Sequence, residues 1–594
     1  MSRSKNNIAG KAIDIPVISR IFSLTKPYRS VFYTGIALTL ILAVLSPLRP
    51  WLVQYTIDHY LTAKDYDGLL NMSILLIGLL LVQTLFQYFH TFLTNKLGQT
   101  IIRDLRVRLF EHVAHLRLKF FDHTPIGTLI TRSVSDLETI ADIFSEGLIV
   151  IMGDLLTLFF IIGFMFYIDW RLTLISLSTI PFLMIATYFF KNGIKAAFRE
   201  VRTEVASLNT FLQEHITGMN IVQIFNREEV EMEAFTAINK RHMNAHIKSV
   251  WYYSIFYPVV ELLTATSVGL LVWWGAKGVM LQDVTIGNVI AFIMYINMLF
   301  RPIRELADKF NTFQMGMVSS ERVFRLLDTD ERISTEGKKN AAELKGEVTF
   351  KNVWFAYNEA ADSSALPEYI LKDLSFSMRA GQSVALVGAT GAGKSSVVNL
   401  LGRMYEFQKG EITIDGISIR DYDLHGLRRV IAMVPQDVFL FSDTIHNNIT
   451  LYDKSISREQ VEEAARAVGA MRFIEKLPGG FDFNVMERGA VLSTGQRQLI
   501  SFIRAYVFNP SILILDEATS SIDSETEELI RLATEKLTAN RTSIIVAHRL
   551  STIQKADKII LLDHGQKIEE GSHQELLSMN GAYKKLYEIQ FSNI

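Results

Sequence analysis

Residues 388–395 combine glycine, lysine and serine at spacings that suit a triphosphate. They fit the pattern G-x-x-x-x-G-K-[ST] without a mismatch, and they follow an apolar run at residues 384–387. Glycines let the backbone curl so that its amide groups face phosphate oxygens, while Lys394 adds positive charge and Ser395 offers a hydroxyl to Mg²⁺. The pattern therefore predicts a strand, a phosphate-binding loop and a helix, in that order.

Asp516 and Glu517 form a second candidate element, directly after the apolar run at residues 512–515. A buried strand that ends here would deliver Asp516 to a Mg²⁺ ion. Glu517 would then be placed to polarise an attacking water molecule. An acidic pair after one apolar run is commonly only a strand end, but behind an intact phosphate loop the catalytic interpretation is favoured.

The composition points away from a soluble protein and from nucleic-acid binding. Hydrophobic residues make up 49% of the 594 residues, and the mean hydropathy is +0.21. The formal net charge is only −2, so there is no overall basic character for a nucleic acid to bind. The chain contains no cysteine, which excludes disulfides, iron–sulfur clusters and Cys-ligated zinc. Its length predicts more than one domain.

Long apolar stretches occupy much of the first half of the chain. Each approaches the ~20 residues that a helix needs to cross a bilayer. The sequence therefore predicts six membrane-spanning helices, near residues 31–53, 69–92, 143–168, 170–190, 256–280 and 284–303. Lys and Arg concentrate in the N-terminal arm, between spans two and three, and between spans four and five. Those segments are expected on the cytoplasmic side, with short loops outside.

The two long cytoplasmic segments keep a helical periodicity and are expected to continue the membrane helices. A turn signal interrupts each of them, at residues 120–127 and 218–220. Each turn can hold a short crosswise helix that presses on another domain, or it is an ordinary corner between helices. The residue pattern alone favours neither interpretation.

Asp154 and Glu261 are acidic residues inside predicted spans, where a charge is expensive. They indicate either a water-filled cavity or cation site, or else helix–helix hydrogen bonding or a position closer to the membrane interface than the predicted span bounds suggest. The second interpretation is favoured. Beyond the spans, a polar and charged stretch at residues 329–345 predicts a linker. The predicted domains are a transmembrane domain over residues 1–328, this linker, and a nucleotide-binding domain over residues 346–594 with a core of its own.

Residues 491–498, Val-Leu-Ser-Thr-Gly-Gln-Arg-Gln, resemble the LSGGQ signature of ATP-binding cassette (ABC) proteins. With the phosphate loop before this signature and the acidic pair shortly after it, the chain resembles an ABC exporter half-transporter over nearly all of its 594 residues. The resemblance implies an all-α transmembrane domain of six helices followed by an α/β P-loop ATPase domain. It also implies that the two cytoplasmic turns carry the coupling helices of the family.

The resemblance assigns roles to residues at matching positions. Glu517 is implied as the catalytic base, and His548 as the switch histidine that contacts the γ-phosphate. Tyr357 matches the aromatic residue that stacks on adenine. The implied Mg²⁺ ligands are Ser395, Gln436 and Asp516. The implied ATP-binding residues are Tyr357, Gly388, Thr390, Gly391, Gly393, Lys394, Ser395, Ser396, Gln436, Ser493, Gly495, Gln496 and Asp523.

A second half-transporter is the partner that the resemblance implies. A helix is predicted to start at the signature, where its backbone amides favour an anion; in the family it faces the γ-phosphate on the partner's phosphate loop. ATP then holds two cassettes together until hydrolysis, and their closure converts an inward-facing cavity to an outward-facing one. Thr494 replaces the first glycine of the signature pair, where its branched side chain restricts the backbone. This fits a homodimer that tolerates threonine and, equally, the catalytic-glutamate half of an asymmetric heterodimer.

The function that these residues favour is ATP-driven export of amphipathic or lipidic small molecules across an inner or plasma membrane. The N-terminus and the nucleotide-binding domain are expected in the cytoplasm. A lipid flippase for envelope biogenesis shares every motif and stays open, whereas an ATP-gated channel or a regulatory subunit is disfavoured by Glu517 and His548. The expected partners are the bilayer, a small hydrophobic or amphipathic substrate and a second half-transporter, with no nucleic acid.

Overall fold

The computed structural model divides into two compact units. One contains the described residues up to Ala114 together with Ile126–Thr329, and the other contains His115–Pro125 together with the described residues from Asp330 onward. The residues that the structure describes are 15–333, 337–341, 344–358, 367–516, 524–547 and 550–591.

Helices make up the described secondary structure before residue 330. They are α1 (Ile15–Ser23), α2 (Arg29–Thr56), α3 (Tyr66–Ala114), α4 (Leu118–His123), α5 (Ile126–Ser133), α6 (Ser135–Asp142), α7 (Leu148–Ile168), α8 (Trp170–Leu177), α9 (Ile180–Thr217), α10 (Met219–Ile224), α11 (Glu228–Met280) and α12 (Ile286–Leu327), with a 3-10 turn at Lys26–Tyr28 and π-helical turns at Ile57–Leu61 and Ile143–Gly147. Of these, α4 belongs to the second unit. The two predicted turn signals therefore coincide with the short helices α4 and α10.

Each of the six predicted spans is helical. By length and composition, five helical stretches are long and apolar enough to cross a membrane, and the sixth predicted span coincides with a shorter apolar helix, Ile286–Pro302. The five stretches are Lys26–Leu61, Tyr66–Ala114, Ile126–Ile168, Trp170–Thr217 and Glu228–Met280. Along α3, Leu70, Ile77, Leu81 and Leu85 expose about half or more of their surface, which an aqueous environment would penalise and lipid would not.

The π-helical turn that follows α2 is joined to the start of α12 by one carboxylate. Asp58 Oδ1 accepts a hydrogen bond from the amide of Gly287 at 3.0 Å, and its Oδ2 accepts one from the Thr285 hydroxyl at 2.7 Å. A Cβ atom at Gly287 would lie 2.5 Å from Asp58 Oδ1, so glycine is needed for this approach. Further along α12, the buried Tyr295 donates its hydroxyl to the carbonyl of Pro47 at 2.7 Å.

Asp154 has a charged partner that the predicted span did not contain. Its Oδ2 lies 2.6 Å from Nζ of Lys309, and each side chain keeps only about a fifth of its surface exposed, at 22% and 20%. The favoured interpretation of helix–helix hydrogen bonding is therefore confirmed for Asp154, and the bond is also an ion pair between α7 and α12. Glu261, by contrast, is exposed in the single chain.

Replacing Asp154 with leucine should destabilise the membrane unit by about 2 kcal/mol, because Lys309 loses this carboxylate in a half-buried position. The exchange of both residues, D154K with K309D, should recover most of that loss. Thermal unfolding in detergent micelles measures both variants. An unchanged midpoint in D154L would show that the pair does not stabilise the folded state.

The second unit alternates strands and helices, as an α/β domain requires. Its elements after residue 330 are β1 (Val348–Phe355), β2 (Leu371–Met378), β3 (Ser383–Val387), α13 (Lys394–Leu401), β4 (Lys409–Ile414), β5 (Ile417–Ser418), α14 (Leu424–Val430), β6 (Ile431–Val434), α15 (Ile445–Thr450), α16 (Arg458–Val468), α17 (Met471–Ile474), α18 (Thr494–Val507), β7 (Ile512–Asp516), α19 (Ser524–Thr538), β8 (Thr542–Val546), α20 (Leu550–Lys555), β9 (Lys558–Asp563), β10 (Gln566–Gly571), α21 (His573–Ser578) and α22 (Ala582–Phe591), with 3-10 turns at Gly480–Asp482 and Glu487–Gly489. The predicted strand, loop and helix around residue 388 are confirmed by β3 and α13.

Two sheets form the framework of this unit. The antiparallel sheet has the order β2-β1-β4-β5, and the larger sheet has the order β10-β9-β3-β8-β7-β6, in which all neighbours except β10 and β9 are parallel. Strand β3 is buried on both faces: Ala385 and Val387 enter one hydrophobic core, and Val384 and Leu386 enter the other. The expected fold class, membrane helices followed by an α/β unit, is confirmed.

Candidate nucleotide-binding site

The larger sheet brings the predicted site elements to one edge. Leu386, Val546 and Asp516 occupy one row across β3, β8 and β7, and Val434 of β6 pairs with Leu515 one residue before that row. The phosphate loop, the segment of His548, Asp516 and Gln436 therefore all follow the carboxyl ends of four adjacent parallel strands. Open α/β sheets bind their ligands at this edge.

The phosphate loop owes its course to glycine. Gly388 has φ +153°, and a Cβ atom there would lie 2.2 Å from the carbonyl oxygen of Leu562 in β9. Gly391 has φ +85°, but a Cβ atom there would meet nothing within 4 Å. Gly388 is therefore required because the loop lies close to the sheet. Gly391 is favoured only because its backbone conformation is one that other residues rarely adopt. Thr390 lies on the exposed side of the loop.

Lys394 turns its ammonium group back onto the loop. Its Nζ donates to the carbonyl oxygens of Gly388 at 2.7 Å and Ala389 at 3.0 Å, and the residue is 6% exposed. Burial lowers the pKa of Lys394, and the negative charge of Asp516 opposes that shift in part. A desolvated cation in a glycine loop gains strongly from phosphate charges, because a low dielectric strengthens their attraction.

The donor set at this edge fits a magnesium ion. Ser395 and Gln436 are exposed, and Asp516 ends β7 within electrostatic range of Lys394. Mg²⁺ prefers oxygen ligands and is commonly held by one or two carboxylates together with substrate phosphates. These three side chains offer hydroxyl, amide and carboxylate oxygens of that kind.

Tyr357 lies beside the phosphate-loop helix. Its hydroxyl is 3.0 Å from Oγ of Ser396, the third residue of α13 and a buried one. The Tyr357 ring contacts Tyr405 edge to face, with ring centroids 5.0 Å apart. The sequence analysis did not identify Tyr405. The signal that could have found it is its position as an aromatic residue shortly after the phosphate loop.

The predicted helix at the signature begins where expected. Ser493 caps α18: its Oγ accepts from the amide of Gln496 at 3.2 Å, and Oε1 of Gln496 accepts from the amide of Ser493 at 3.0 Å. This capping box is encoded by the spacing Ser-x-x-Gln. Ser493 and Thr494 at this helix start are exposed, and the amides of a first helical turn favour an anion. Gly495 is buried just behind them.

Thr494 is the first residue of α18, so its backbone is helical. Its hydroxyl accepts a hydrogen bond from Arg497 Nη2 at 3.2 Å. The predicted restriction of the backbone by a branched side chain causes no strain here, because threonine can adopt a helical conformation. The position does not need the conformational freedom of glycine.

Three predicted residues, Glu517, Asp523 and His548, lie outside the described residues. The strands that precede two of them are described: β7 ends at Asp516, one residue before Glu517, and β8 ends at Val546, two residues before His548.

A helical unit with membrane-length apolar helices, joined to an α/β unit with a phosphate loop, defines a multi-pass membrane protein that binds and hydrolyses nucleotide. The chain matches the family model of the ABC transporter transmembrane region over residues 32–303 and that of the ABC transporter over residues 371–520.

Full-length relatives show the same organisation. The chain is 38% identical to the uncharacterized ABC transporter ATP-binding protein YknV of Bacillus subtilis, with 99% of this chain and 97% of the relative covered. It is 35% identical to an ATP-dependent lipid A-core flippase of Desulfotalea psychrophila (97% and 99%) and 34% identical to the putative multidrug export ATP-binding/permease protein YgaD of B. subtilis (97% and 100%). The chain belongs to the ABC transporter family, and it is an ATP-driven exporter of that family.

Replacing Gly388 with alanine should weaken ATP binding by roughly tenfold or more, because the new methyl group meets the Leu562 carbonyl and the loop must move. Gly391→Ala is the matched control: it carries the unfavourable φ without the clash and should lose clearly less affinity. Titration with a fluorescent ATP analogue measures both. Equal losses would show that the close approach at Gly388 is unimportant.

Two substitutions at the start of α18 are expected to have different effects on ATP turnover. Ser493→Ala removes the cap, worth about 1 kcal/mol, and should lower ATP turnover about fivefold as the first turn frays. Thr494→Gly should leave turnover within about twofold, because the backbone at this position is already helical. Steady-state phosphate release measures both. A large gain in T494G would instead mean that threonine impairs this site.

Proposed function

We propose that the chain exports amphipathic or lipidic small molecules as one half of a homodimer, using Mg²⁺–ATP held at the sheet edge described above. The observation that carries the proposal is the convergence of the phosphate loop, Asp516 and Gln436 at adjacent strand ends, in a chain whose other unit is made of membrane-length helices. In the proposed site Lys394 binds the outer phosphates, and Tyr357 stacks on adenine.

Hydrolysis in this proposal depends on Glu517. The residue follows Asp516 directly, so a carboxylate next to the magnesium site is available to orient and polarise water. His548 follows β8, between the strands of the phosphate loop and of Asp516, and is proposed to contact the γ-phosphate. Magnesium supplies charge neutralisation when it is bound.

Orientation follows from charge. Basic residues concentrate in the N-terminal arm and in the segments that contain α4 and α10, while the loops at the opposite ends of the spans are short. The N-terminus and the nucleotide unit are therefore proposed to lie in the cytoplasm, below an inner or plasma membrane.

A second copy is proposed because each unit exposes apolar side chains in the aqueous part of the chain. On and after α10, Ile221, Ile224 and Phe225 are 55%, 70% and 67% exposed; in the nucleotide unit, Phe439 and Phe441 are 53% and 55% exposed. Clusters of this kind mark surfaces that a partner covers. The unstrained fit of Thr494 favours two identical chains over a heterodimer.

Lipid flipping is the second candidate. It is supported by relatives named as ATP-dependent lipid A-core flippases in Desulfotalea psychrophila and Syntrophus aciditrophicus, at 35% and 34% identity. Relatives named as putative or probable multidrug exporters lie in the same range of identity, at 34% and 36%. Both hypotheses, lipid flipping and drug export, place an amphipathic molecule in the transport path. Stimulation of ATPase activity by lipid would favour the first, and stimulation by drug-like cations would favour the second.

The chain expressed alone should form an active two-copy particle, since one half carries a complete set of site residues. Glu517→Gln should lower ATP turnover about a hundredfold or more while ATP binding persists, because the base is lost but the phosphate contacts remain. Native mass spectrometry and phosphate release on the same detergent-purified samples measure both.

An inactive single copy would refute the homodimer and require a sister chain. Unchanged turnover in E517Q would refute the assignment of the base. The second result leaves the family membership untouched, since that does not rest on Glu517.

A further inference from the structure

The segment 115–125, which links α3 to α5, belongs by its contacts to the nucleotide unit. One end of it is held by the backbone: the amide of Arg117 donates to the carbonyl of Glu331 at 2.8 Å, and Nε of Arg117 donates to the carbonyl of Arg332 at 2.7 Å. These bonds attach the start of α4 to the chain that enters the nucleotide unit.

The other end is held by a side chain next to the nucleotide site. The hydroxyl of Tyr405 donates a hydrogen bond to the carboxylate of Asp122 in α4. The Tyr405 residue is otherwise buried, with 8% of its surface exposed. Burial and the Asp122 carboxylate raise the pKa of Tyr405, so the phenol stays protonated and remains a donor at physiological pH.

The Tyr405 ring in turn touches the residue proposed to hold adenine. Its centroid lies 5.0 Å from that of Tyr357, with the planes at 89°, and the Tyr357 hydroxyl reaches Ser396 of α13 at 3.0 Å. Described contacts thus run without a gap from the phosphate-loop helix through two tyrosines to α4.

The turn that carries Tyr405 leaves it little freedom. Arg403 is 2% exposed; its guanidinium donates to Glu406 Oε1 at 3.1 Å and to the carbonyl of Ile419 at 3.1 Å. Arg420 also donates to Glu406, at 2.9 Å. Because residues on both sides of Tyr405 are fixed, a displacement of the Tyr357 ring is transmitted to the phenol and is not absorbed by rotation of the turn.

We propose that Tyr405 and Asp122 are a positioning pair that ties the order of α4 to occupancy of the adenine pocket. Nucleotide that stacks on Tyr357 limits the movement of this ring, which in turn holds the Tyr405 hydroxyl against Asp122 and orders residues 115–125. Neither residue touches nucleotide. The inference rests on the proposed role of Tyr357. It goes beyond the attachment of α4 to the nucleotide unit, since it makes the Tyr405–Asp122 contact depend on bound nucleotide.

Hydrogen–deuterium exchange on the full-length protein in nanodiscs tests this without knowledge of the substrate. The background is Glu517→Gln, with and without Mg²⁺–ATP. In that background ATP should slow exchange of the amides in residues 115–125 about fivefold. ATP should also slow exchange of the amides in residues 388–401, which form the phosphate loop and α13. Tyr405→Phe and Asp122→Ala should each abolish the protection of residues 115–125 and preserve that of residues 388–401, and the double variant should equal either single one. Asp122→Glu and Asp122→Asn, which both keep an acceptor oxygen, should restore part of the protection.

Two matched controls separate a ligand-dependent contact from general stability. Tyr422→Phe removes another buried tyrosine hydroxyl of the same unit, which donates to the carbonyl of Ile414 at 2.9 Å. Asp104→Ala breaks a second Tyr–Asp pair, with Tyr28, in the other unit. Both variants should keep the ATP-dependent protection of residues 115–125.

The proposal is overturned if Y405F keeps the fivefold effect, or if Y422F loses it equally, because the pair then does no more than support the fold. It is also overturned if α4 shows no response to ATP while residues 388–401 are protected. If ATP protects neither segment, the proposed nucleotide site itself is wrong, and the two failures are thereby distinguished.

Discussion

Parallel pairing of β6, β7, β8 and β3 is the constraint on which the nucleotide site depends. Leu386, Val546 and Asp516 share one row, so the segments that follow these strands emerge together at one edge. Because successive residues of a strand point to opposite faces, a slip of one residue in β7 would exchange its two core faces and withdraw Asp516 from this edge. The four β7 residues from Ile512 to Leu515 are buried in the two cores, so such a slip would require both cores to repack.

The loop and the signature helix solve the same problem in different ways. Both are proposed to present backbone amides to an anion, but the loop relies on glycines with positive φ, while the helix start relies on a side-chain cap. This difference explains why glycine is required at Gly388 and is dispensable at Thr494. We therefore expect phosphate binding at the signature to depend on Ser493 and the helix terminus, and not on Thr494, which departs from the family pattern.

Local patterns predicted most of the fold. The phosphate loop, the start of α18 and the strand before Asp516 are each encoded within a few residues, and the apolar windows found every span as a helix. Pairings between distant residues were not predicted. Asp154 and Lys309 are 155 positions apart, and Lys309 lies beyond the apolar window that defined its span; Tyr405 and Asp122 are 283 positions apart. Periodicity does not report such contacts, because a repeating pattern reflects which face of one element is buried and not which residue of a distant element it meets.

Residues 115–125 occupy an unusual position in this arrangement. Their contacts belong to the nucleotide unit, yet they continue directly from α3, which is 49 residues long, and into α5. A helix of that length is bonded along its whole backbone, so displacement at its C-terminal end is carried along the axis and is not lost in a flexible joint. A ligand shifts an equilibrium only by the difference in its affinity for the two states. The free energy that ATP binding contributes to movement of α3 through this segment is therefore limited by how strongly nucleotide changes the contacts of the segment. The hydrogen bond between Tyr405 and Asp122 is one of these contacts, and it leads to Tyr357.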